Sequence, residues 1–529
     1  MASRSTKDTP VELVGAEAAP IPRVFPAAGQ AHREGRSEVY LSARALLVFV
    51  FLLLIFTLAA RQILDPDIWW HLKTGQHLVE TRSIPHNDIF STQFFGKEWI
   101  THEWLSEVLI YLVYRGVGFG GLIVSFALAI TIGFAIAYRR CTKGVGHPYV
   151  SGAALLLGAL AAAPTWGARP QVFSFLFASI FLALLDDFPG KVKRHSIWWL
   201  VPLMVLWVNM HAGFPLGIVL ILLAIIGIML NTVVSDGGSL AALWPRLRRL
   251  CLVLLGCIAA VIVNPSGARL YSYPFETLTS QAMMKFIEEW RSPNFHELMF
   301  QPLAVLILAV LGALALSRKR VRLSQLLMLV VTGWAALRSG RNAPFFVLVA
   351  MPLLAEHTWD WLSAQRWGQW LSLPEKREVG ADATLKMALN VLLLVAAPLT
   401  LAAWRVQHSV TNQAAAEAQA FPAAAVEFMR THPSPPPVFN EYGWGGYLIW
   451  KLPEYRVYID GRADVYGDAF IEEFLATHDG ETNWQESLSK HDVRTVLIKP
   501  DAALASLLRQ DRGWQKVFED NQAVIFVRQ

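Results

Sequence analysis

Carboxylates and imidazoles are concentrated in residues 65–105, directly after the first long apolar run. The stretch reads DPDIWWHLKTGQHLVETRSIPHNDIFSTQFFGKEWITHEWL. Its candidate acids, bases and ligands are Asp65, Asp67, His71, Asp88, His102 and Glu103, set among four tryptophans. Two carboxylates two positions apart can bind a divalent cation such as Mg²⁺ or Mn²⁺ through oxygen, or one can be a general base whose pKa the other raises. The pattern predicts an active-site loop.

The same residues have structural alternatives that the sequence leaves open. Asp67 can cap the helix that follows it, with Trp69 and Trp70 anchoring that helix at a membrane interface. Asp88 follows Asn87 in a pattern typical of a turn, and His102 and Glu103 open another helix. Their occurrence together on one loop favours a functional role.

Composition indicates the class of protein. Of 529 residues, 54% are hydrophobic and only 16% charged, and the mean hydropathy is +0.38. These values predict a polytopic membrane protein. The net charge of +5 resides in short basic clusters between apolar runs, which is a topology signal and does not predict nucleic-acid binding. The three cysteines have no metal-ligand spacing, so neither a disulfide nor a zinc site is expected.

About eleven apolar segments are long enough to cross, or nearly cross, a bilayer. They are residues 45–60, 120–138, 150–163, 172–185, 197–209, 216–233, 250–263, 302–316, 323–337, 343–354 and 385–404. Basic clusters occur at every second loop, at residues 33–44, 139–143, 191–194, 246–249, 318–322 and 366–377. Because Lys and Arg near membrane ends stay cytoplasmic, the N-terminus is predicted inside, and the acidic loop and the C-terminal region outside.

The outer loops without basic clusters carry the more distinctive polar residues. These are Arg169 in PTWGARPQ, His211 in WVNMHAGF, and Arg338 and Arg341 in LRSGRNAPFF. A guanidinium at such a position can bind a phosphate through paired hydrogen bonds, or it can extend to lipid headgroups. His211 can bind substrate or serve as a structural hydrogen-bonding group. Polar residues at membrane ends are site hypotheses by default.

Three regions follow from these patterns. Residues 1–40 are predicted to be a disordered cytoplasmic tail, and residues 41–405 a multi-spanning domain with a first external loop at 61–105. Residues 406–529 are predicted to be an extracytoplasmic α/β domain. Its expected β segments are VFNEYGWGGYLIWKL, YRVYIDGRADVYG, VRTVLIKP, WQKVFED and AVIFVR, with helices near 470–478 and 502–510.

The order of these motifs resembles a known family. DPDIWWHLKTG, SIPHNDIFS, HEWL, ARPQ, WVNMHAGF, EEWRSPNF and RNAPFF together resemble bacterial membrane proteins of the GT-C glycosyltransferase superfamily, in the RgtA/B/C/D-like branch. The resemblance implies a GT-C-like fold in a bacterial inner membrane. It also implies transfer of a sugar from a polyprenyl-phosphate donor to a lipid, glycan or protein acceptor on the outer face.

Site roles follow from that resemblance. The acidic first-loop motif of the superfamily falls on Asp65 and Asp67, with Asp67 as the preferred base. The residue patterns of the outer loops, rather than the resemblance, give the expected substrate-binding residues, which are His71, Asp88, His102, Glu103, Arg169, His211, Arg338 and Arg341. Two other functions remain open on the sequence: a transporter or flippase of lipid-linked glycans, and a non-catalytic subunit of cell-envelope assembly.

Overall fold

The computed structural model describes residues 43–145, 147–188, 196–235, 239–366, 381–481 and 483–529. The tail predicted at residues 1–40 and the basic cluster at 191–194 lie outside the described residues. Residues 43–529 form one compact unit.

Fourteen α-helices account for most of residues 43–411 in the described part of the chain. They are α1 (Ala43–Ala59), α2 (Ile68–Thr81), α3 (Trp104–Val145), α4 (Pro148–Ala162), α5 (Gln171–Asp187), α6 (Leu200–Met210), α7 (Pro215–Leu230), α8 (Leu240–Ala260), α9 (Tyr273–Thr279), α10 (Gln281–Phe286), α11 (Gln301–Leu316), α12 (Leu323–Arg338), α13 (Ala343–Ser363) and α14 (Ala381–Thr411). Helix α13 is central, because it packs against α3, α4, α11 and α12.

Every apolar run predicted from the sequence coincides with a helix. Among the described residues, five helical stretches are long and apolar enough to cross a membrane, and three shorter apolar helices accompany them. The chain is therefore a helical membrane protein. The number of spans, about eleven, stays a prediction, as do the sides of the membrane assigned to the termini.

The two helices next to the acidic loop have different characters. Helix α3 is two helices joined at Gly118, whose φ of 66° is readily adopted only by glycine. Its second half is the predicted apolar run at 120–138. Helix α2 is polar on one side, is only 14 residues long, and packs along the beginning of α3. It carries the residues that follow Asp67 and is not a candidate span.

The C-terminal domain, residues 413–529, consists of six helices and one four-stranded sheet. The elements are α15 (Gln413–Ala420), α16 (Ala423–Thr431), β1 (Val438–Asn440), α17 (Gly445–Lys451), α18 (Ala463–His478), α19 (Trp484–Lys490), β2 (Thr495–Ile498), α20 (Ala503–Leu508), β3 (Trp514–Glu519) and β4 (Val524–Arg528). The strand order is β1-β2-β4-β3, with β1 parallel to β2 and the other pairs antiparallel. A small α/β domain is thus present, as the sequence predicts.

Two of its predicted β segments are wrong. Most of VFNEYGWGGYLIWKL is helical, since only Val438–Asn440 is a strand and α17 begins at Gly445. In YRVYIDGRADVYG, only two isolated bridges of Val457, to Ser91 and to Val438, occur before α18. The reason is close packing: a β-carbon on Gly445 would overlap the backbone oxygen of Ile459, so this glycine lets the short helix abut the neighbouring chain.

The loops without basic clusters meet at one end of the helices. Trp104 donates its indole N–H to Asn209 at 2.8 Å, and the Asn264 amide donates to the backbone oxygen of His102 at 3.1 Å. The backbone N–H of Thr92 donates to the Val457 carbonyl of the C-terminal domain at 2.8 Å. These contacts bring the acidic loop, two other loops and the C-terminal domain together.

Candidate active site

Asp65 and Asp67 lie in the tight turn that leads into α2. Pro66 separates them, and the Asp67 backbone N–H donates to Asp65 Oδ1 at 3.0 Å. Asp67 occupies the position before the helix, but its side chain accepts no backbone N–H there. It accepts instead from the Trp70 indole at 3.2 Å. The capping alternative therefore does not describe the Asp67 carboxylate, which remains available for chemistry.

A single guanidinium binds both carboxylates. Arg169 Nε pairs with Asp65 Oδ2, and Arg169 Nη2 lies 3.4 Å from Asp67 Oδ2. Arg169 comes from the short turn between α4 and α5, where Gly167 lies directly against the Asp65 carboxylate. The two predicted catalytic acids and one predicted phosphate-binding arginine are thus adjacent.

Glu289 extends this cluster to a second arginine. Its Oε2 accepts from Arg169 Nη1 at 2.9 Å, and its Oε1 accepts from Arg341 Nη1 at 3.3 Å. The Arg341 guanidinium also lies over the Trp290 ring, 5.2 Å from its centroid. We call Asp65, Asp67, Arg169, Glu289 and Arg341 the acid–guanidinium cluster. Its side chains are 12–32% exposed, so the cluster is sheltered but accessible.

The electrostatics of the cluster suit a base. Burial raises the pKa of Asp67 to about 7, with Arg169 opposing the rise and Asp65 adding to it. The pKa of Arg169 is raised, because its three carboxylate neighbours outweigh the effect of burial. Asp67 therefore exchanges its proton near neutral pH, where a general base works best, while Arg169 remains a fixed positive charge.

The C-terminal domain forms one wall beside Asp67. A β-carbon on Gly461 would overlap Asp67 Oδ1, and one on Gly446 would meet the Pro66 carbonyl oxygen at 2.5 Å. Both glycines belong to the motifs YGWGGYLIW and YIDGRADVY, which otherwise fold into the domain core. Close backbone approach to the acidic turn is the reason that these positions take glycine.

A second polar group lies deeper, where α2 meets α3. His71 Nδ1 is 3.4 Å from Glu107 Oε1 and 3.7 Å from Glu103 Oε1, and His102 Nε2 is 3.6 Å from Glu103 Oε2. Burial opposes ionisation of Glu103, but His102 and His71 lower its pKa to about 2. Burial lowers the pKa of His71 to about 4, against the pull of Glu103. Three predicted residues, His71, His102 and Glu103, thus lie in one group with Glu107.

Asp88 forms a buried ion pair with Arg462 of the C-terminal domain. It is fully buried, accepts from the Ser91 backbone N–H at 2.9 Å, and pairs with Arg462 Nη1 at 2.7 Å. Arg462 also pairs with Asp460 at 2.7 Å, and its guanidinium lies over the rings of Phe90 and Trp99. The structure therefore does not bring Asp88 to the acid–guanidinium cluster; it joins the acidic loop to the C-terminal domain.

His211 and Arg338 also lie apart from the cluster. His211 Nδ1 accepts from the Gly213 backbone N–H at 3.0 Å and contacts the Ser174 hydroxyl at 2.7 Å, which fixes the ring in the protein interior. The Arg338 side chain is exposed, stacks on Trp334 and contacts the Met284 sulfur. Of the two neighbouring arginines, only Arg341 reaches Glu289.

A cavity of about 250 Å³ opens between the outer loops and the C-terminal domain. Its lining includes Trp99, Tyr273, Asp464 and Asp468. Its walls combine one indole face with carboxylates, and it adjoins the loop that bears His102 and Glu103.

Comparison with solved structures identifies the fold. AglB, the archaeal oligosaccharyltransferase from Archaeoglobus fulgidus, in complex with an inhibitory peptide and a dolichol-phosphate, superposes with a TM-score of 0.54 at 11% identity. The match covers 86% of this chain and 69% of that one. An Archaeoglobus fulgidus oligosaccharyltransferase tethered to an acceptor peptide gives a TM-score of 0.52 at 11% identity, and the match covers 93% of this chain and 75% of that one. The chain has a GT-C fold.

Other comparisons add little to this result. ArnT from Cupriavidus metallidurans bound to undecaprenyl phosphate gives a TM-score of 0.49 at 16% identity, covering 91% of this chain and 97% of that one. No family model matches the sequence. No curated protein matches it either. The GT-C fold predicted from the order of motifs is confirmed at the level of the fold.

Within this GT-C fold, two site residues were not predicted from the sequence. Glu289 belongs to the motif EEWRSPNF, which predicted no role for this residue by itself, yet it links the two arginines of the cluster. Glu107 was not singled out, although it lies one helical turn after Glu103. The usable signal was polarity: Glu107 is the acidic residue of the first turn of α3, a helix that is otherwise mostly apolar.

Proposed function

We propose that this chain is a membrane glycosyltransferase that moves a sugar from a polyprenyl-phosphate donor to an acceptor hydroxyl. One observation carries the proposal: Asp67, with a pKa near 7, lies 3.4 Å from a guanidinium that belongs to a two-arginine cluster. A base for the acceptor and positive charge for a departing phosphate are the two groups that such a transfer needs side by side.

The proposed reaction uses the cluster in one displacement. Asp67 accepts the proton of the acceptor hydroxyl, and the acceptor oxygen forms a bond to the anomeric carbon of the sugar. The bond between that carbon and the phosphate oxygen breaks, and its electron pair leaves with the lipid phosphate. Arg169 and Arg341 stabilise the negative charge on the leaving phosphate. Asp65 holds the Asp67 backbone and the Arg169 side chain in place.

Glu289 gives the cluster a resting state. Its carboxylate pairs with the guanidinium groups of both Arg169 and Arg341. A donor phosphate would compete for the same N–H groups and displace Glu289 from one or both. The two arginines therefore stay oriented between turnovers, which reduces the cost of ordering them when the donor binds.

The substrate classes are proposed from chemistry and from the shared fold. AglB, which has this fold, is an oligosaccharyltransferase that was solved with a dolichol-phosphate and a peptide. We infer a lipid-linked donor of the polyprenyl-phosphate class for this chain, and a lipid, glycan or protein acceptor. The proposed location is a bacterial inner membrane, with the cluster and the C-terminal domain, residues 406–529, on the outer face.

The carboxylates of Asp65 and Asp67 are already paired with a cationic side chain of the protein. The Arg169 guanidinium bonds both Asp65 and Asp67, so the pair does not present two free oxygens to Mg²⁺ or Mn²⁺. The proposed displacement therefore assigns no step to a metal at this position.

A transfer assay tests the function. Purified protein would be incubated with a panel of labelled polyprenyl-phosphate sugars and a membrane extract, comparing wild type with Asp67→Asn. Loss of the base should reduce transfer by about 10²- to 10⁴-fold. Asp492→Asn is the matched control, because that carboxylate is 66% exposed in the C-terminal domain and lies outside the cluster.

The outcomes separate the candidate functions. Transfer by wild type and Asp492→Asn, but not by Asp67→Asn, would support the enzyme and its base. Equal transfer by all three would remove Asp67 from the mechanism. If no donor is consumed while labelled lipid still binds, or crosses the bilayer of proteoliposomes, the transporter alternative replaces the enzyme.

A further inference from the structure

Below the acidic turn, His71, Glu103 and Glu107 form a buried trio. Their side chains belong to residues that are 2%, 7% and 0% exposed. Glu103 immediately precedes α3 and Glu107 lies one turn further, so both carboxylates are on the same side of that helix. His71 faces them from α2. Gly75, one turn beyond His71, permits this approach, because a β-carbon there would overlap the Glu107 backbone oxygen.

The spacing of the three groups is compatible with a bound ion, because the one hydrogen bond among them, between His71 Nδ1 and Glu107 Oε1, is long at 3.4 Å. His71 Nδ1 is 3.4 Å from Glu107 Oε1 and 3.7 Å from Glu103 Oε1, and all three ligand atoms lie within 4.8 Å of one another. Charge-assisted N–H···O hydrogen bonds are typically about 2.7–2.9 Å. Ligands of a tetrahedral zinc ion, with bonds of about 2.0–2.1 Å, stand about 3.3–3.4 Å apart.

An unpartnered oxygen gives an independent indication. Oε2 of Glu107 is buried and has no hydrogen-bond partner among the described residues. A fully buried carboxylate oxygen without a partner is unfavourable, and a cation is the ligand that a carboxylate, a second carboxylate and an imidazole share. A neighbouring residue can also orient one of the ligands, as is usual at metal sites: His102 Nε2 lies 3.6 Å from Glu103 Oε2.

We propose that His71, Glu103 and Glu107 bind a divalent transition-metal ion such as zinc, for which an imidazole and two carboxylates are suitable ligands. The ion ties α2 to the beginning of α3. Since the His71 backbone N–H donates to the Asp67 carbonyl at 3.1 Å, the metal holds the helix turn that carries Asp67. The expectation of no zinc site came from cysteine spacing; these ligands are a histidine and two glutamates on two helices, which form no short motif.

Metal binding can be measured directly, without an assay of sugar transfer. The full chain would be purified in detergent, stripped with a chelator, and titrated with Co²⁺, which reports a tetrahedral site by its visible absorption bands. We expect one equivalent to bind, and Zn²⁺ to displace it. Glu107→Gln and His71→Gln should each weaken binding at least about tenfold. Glu80→Gln is the matched control, since Glu80 is an exposed carboxylate on the same helix as His71.

Two further measurements make the result decisive. Asp65→Asn should leave binding unchanged; loss of the metal in Asp65→Asn but not in Glu107→Gln would overturn the proposal in favour of the acidic pair. X-ray absorption of the zinc-loaded wild type should show one imidazole nitrogen with oxygen ligands, independently of how the variants fold. An all-oxygen shell, or a wild-type protein that binds no stoichiometric metal, would also overturn it.

Discussion

Gly461 of the C-terminal domain lies against the carboxylate of Asp67, so closely that a β-carbon on this glycine would overlap Asp67 Oδ1. The two residues are far apart in sequence, and they belong to different parts of the fold. The position of the proposed base is therefore set as much by the C-terminal domain as by its own loop.

Gly461→Ala should reduce transfer by about tenfold to a hundredfold, because displacing a reacting group by about 1 Å can cost two orders of magnitude. Gly443→Ala should leave the rate unchanged, since nothing lies within 4 Å of a β-carbon at that position. Steady-state rates of the two variants, with thermal denaturation as a folding check, make the comparison. Equal rates for Gly461→Ala and Gly443→Ala would show that the C-terminal domain can shift enough to accommodate a β-carbon beside Asp67.

The rate should depend on pH through Asp67. The charged or titratable groups that face its carboxyl are Asp65, Arg169, Glu289 and Tyr442. Its pKa is raised to about 7, mainly by burial, and the ionised form is the base. The rate should therefore rise about tenfold from pH 6 to pH 8.

The raised pKa of Asp67 also makes the stability of the folded protein depend on pH, and stability falls where the rate rises. The folded protein holds this proton more tightly than the unfolded chain, so the contribution of Asp67 to stability is lost as the pH rises through about 7. A rate profile that is flat between pH 5.5 and pH 8.5 would argue against Asp67 as the base.

Arg341 and Arg338 form a natural matched pair. Arg341 contacts Glu289, whereas Arg338 is exposed and stacks on Trp334. Arg341→Ala should lower kcat/KM by about 10²-fold, as expected for loss of one charged group that stabilises a leaving phosphate. Arg338→Ala should stay within about twofold of wild type. The reverse order would place the phosphate at Arg338, with the cluster around Glu289 purely structural.

Arg462→Leu should destabilise the folded protein by about 3–5 kcal/mol, because it leaves the Asp88 and Asp460 carboxylates buried without their cation. Thermal denaturation in detergent measures the change. Arg494→Ala is the control: its ion pair with Asp492 is 55% and 66% exposed, and such pairs contribute about 0–1 kcal/mol. Similar melting temperatures for both variants would contradict a structural role for the Arg462 contacts.

Sequence patterns predicted the helices well, since an apolar run near 20 residues long has few other stable structures. They also grouped Asp65, Asp67, Arg169, Arg338 and Arg341 in one predicted site, because polar residues at membrane ends are expected to face a cavity or a partner. All of these except Arg338 are joined in the acid–guanidinium cluster. The alternation of loops with and without basic clusters was sufficient to group them.

What the sequence left out depends on contacts between distant segments. Asp88 was predicted to bind substrate, but its charge is neutralised by Arg462, a partner that no local pattern identifies. Glu289 is one of two adjacent glutamates in a polar loop, and only the fold selects it to join two arginines. The helix at YGWGGYLIW was missed because aromatic and β-branched residues favour strands locally, while packing of Gly445 and Gly446 favoured a helix.

The pairing of Asp88 with Arg462 has a consequence for biogenesis. The two residues are 374 positions apart, and a ribosome that adds about 5–20 residues per second needs about 20–75 seconds to make the intervening chain. During that time the Asp88 carboxylate has no Arg462 to pair with and must stay hydrated or bound by a chaperone, while the membrane helices are inserted. The turn that carries the proposed base is therefore completed only after residue 462 has been translated, and a chain truncated before Arg462 lacks the contact that joins the acidic loop to the C-terminal domain.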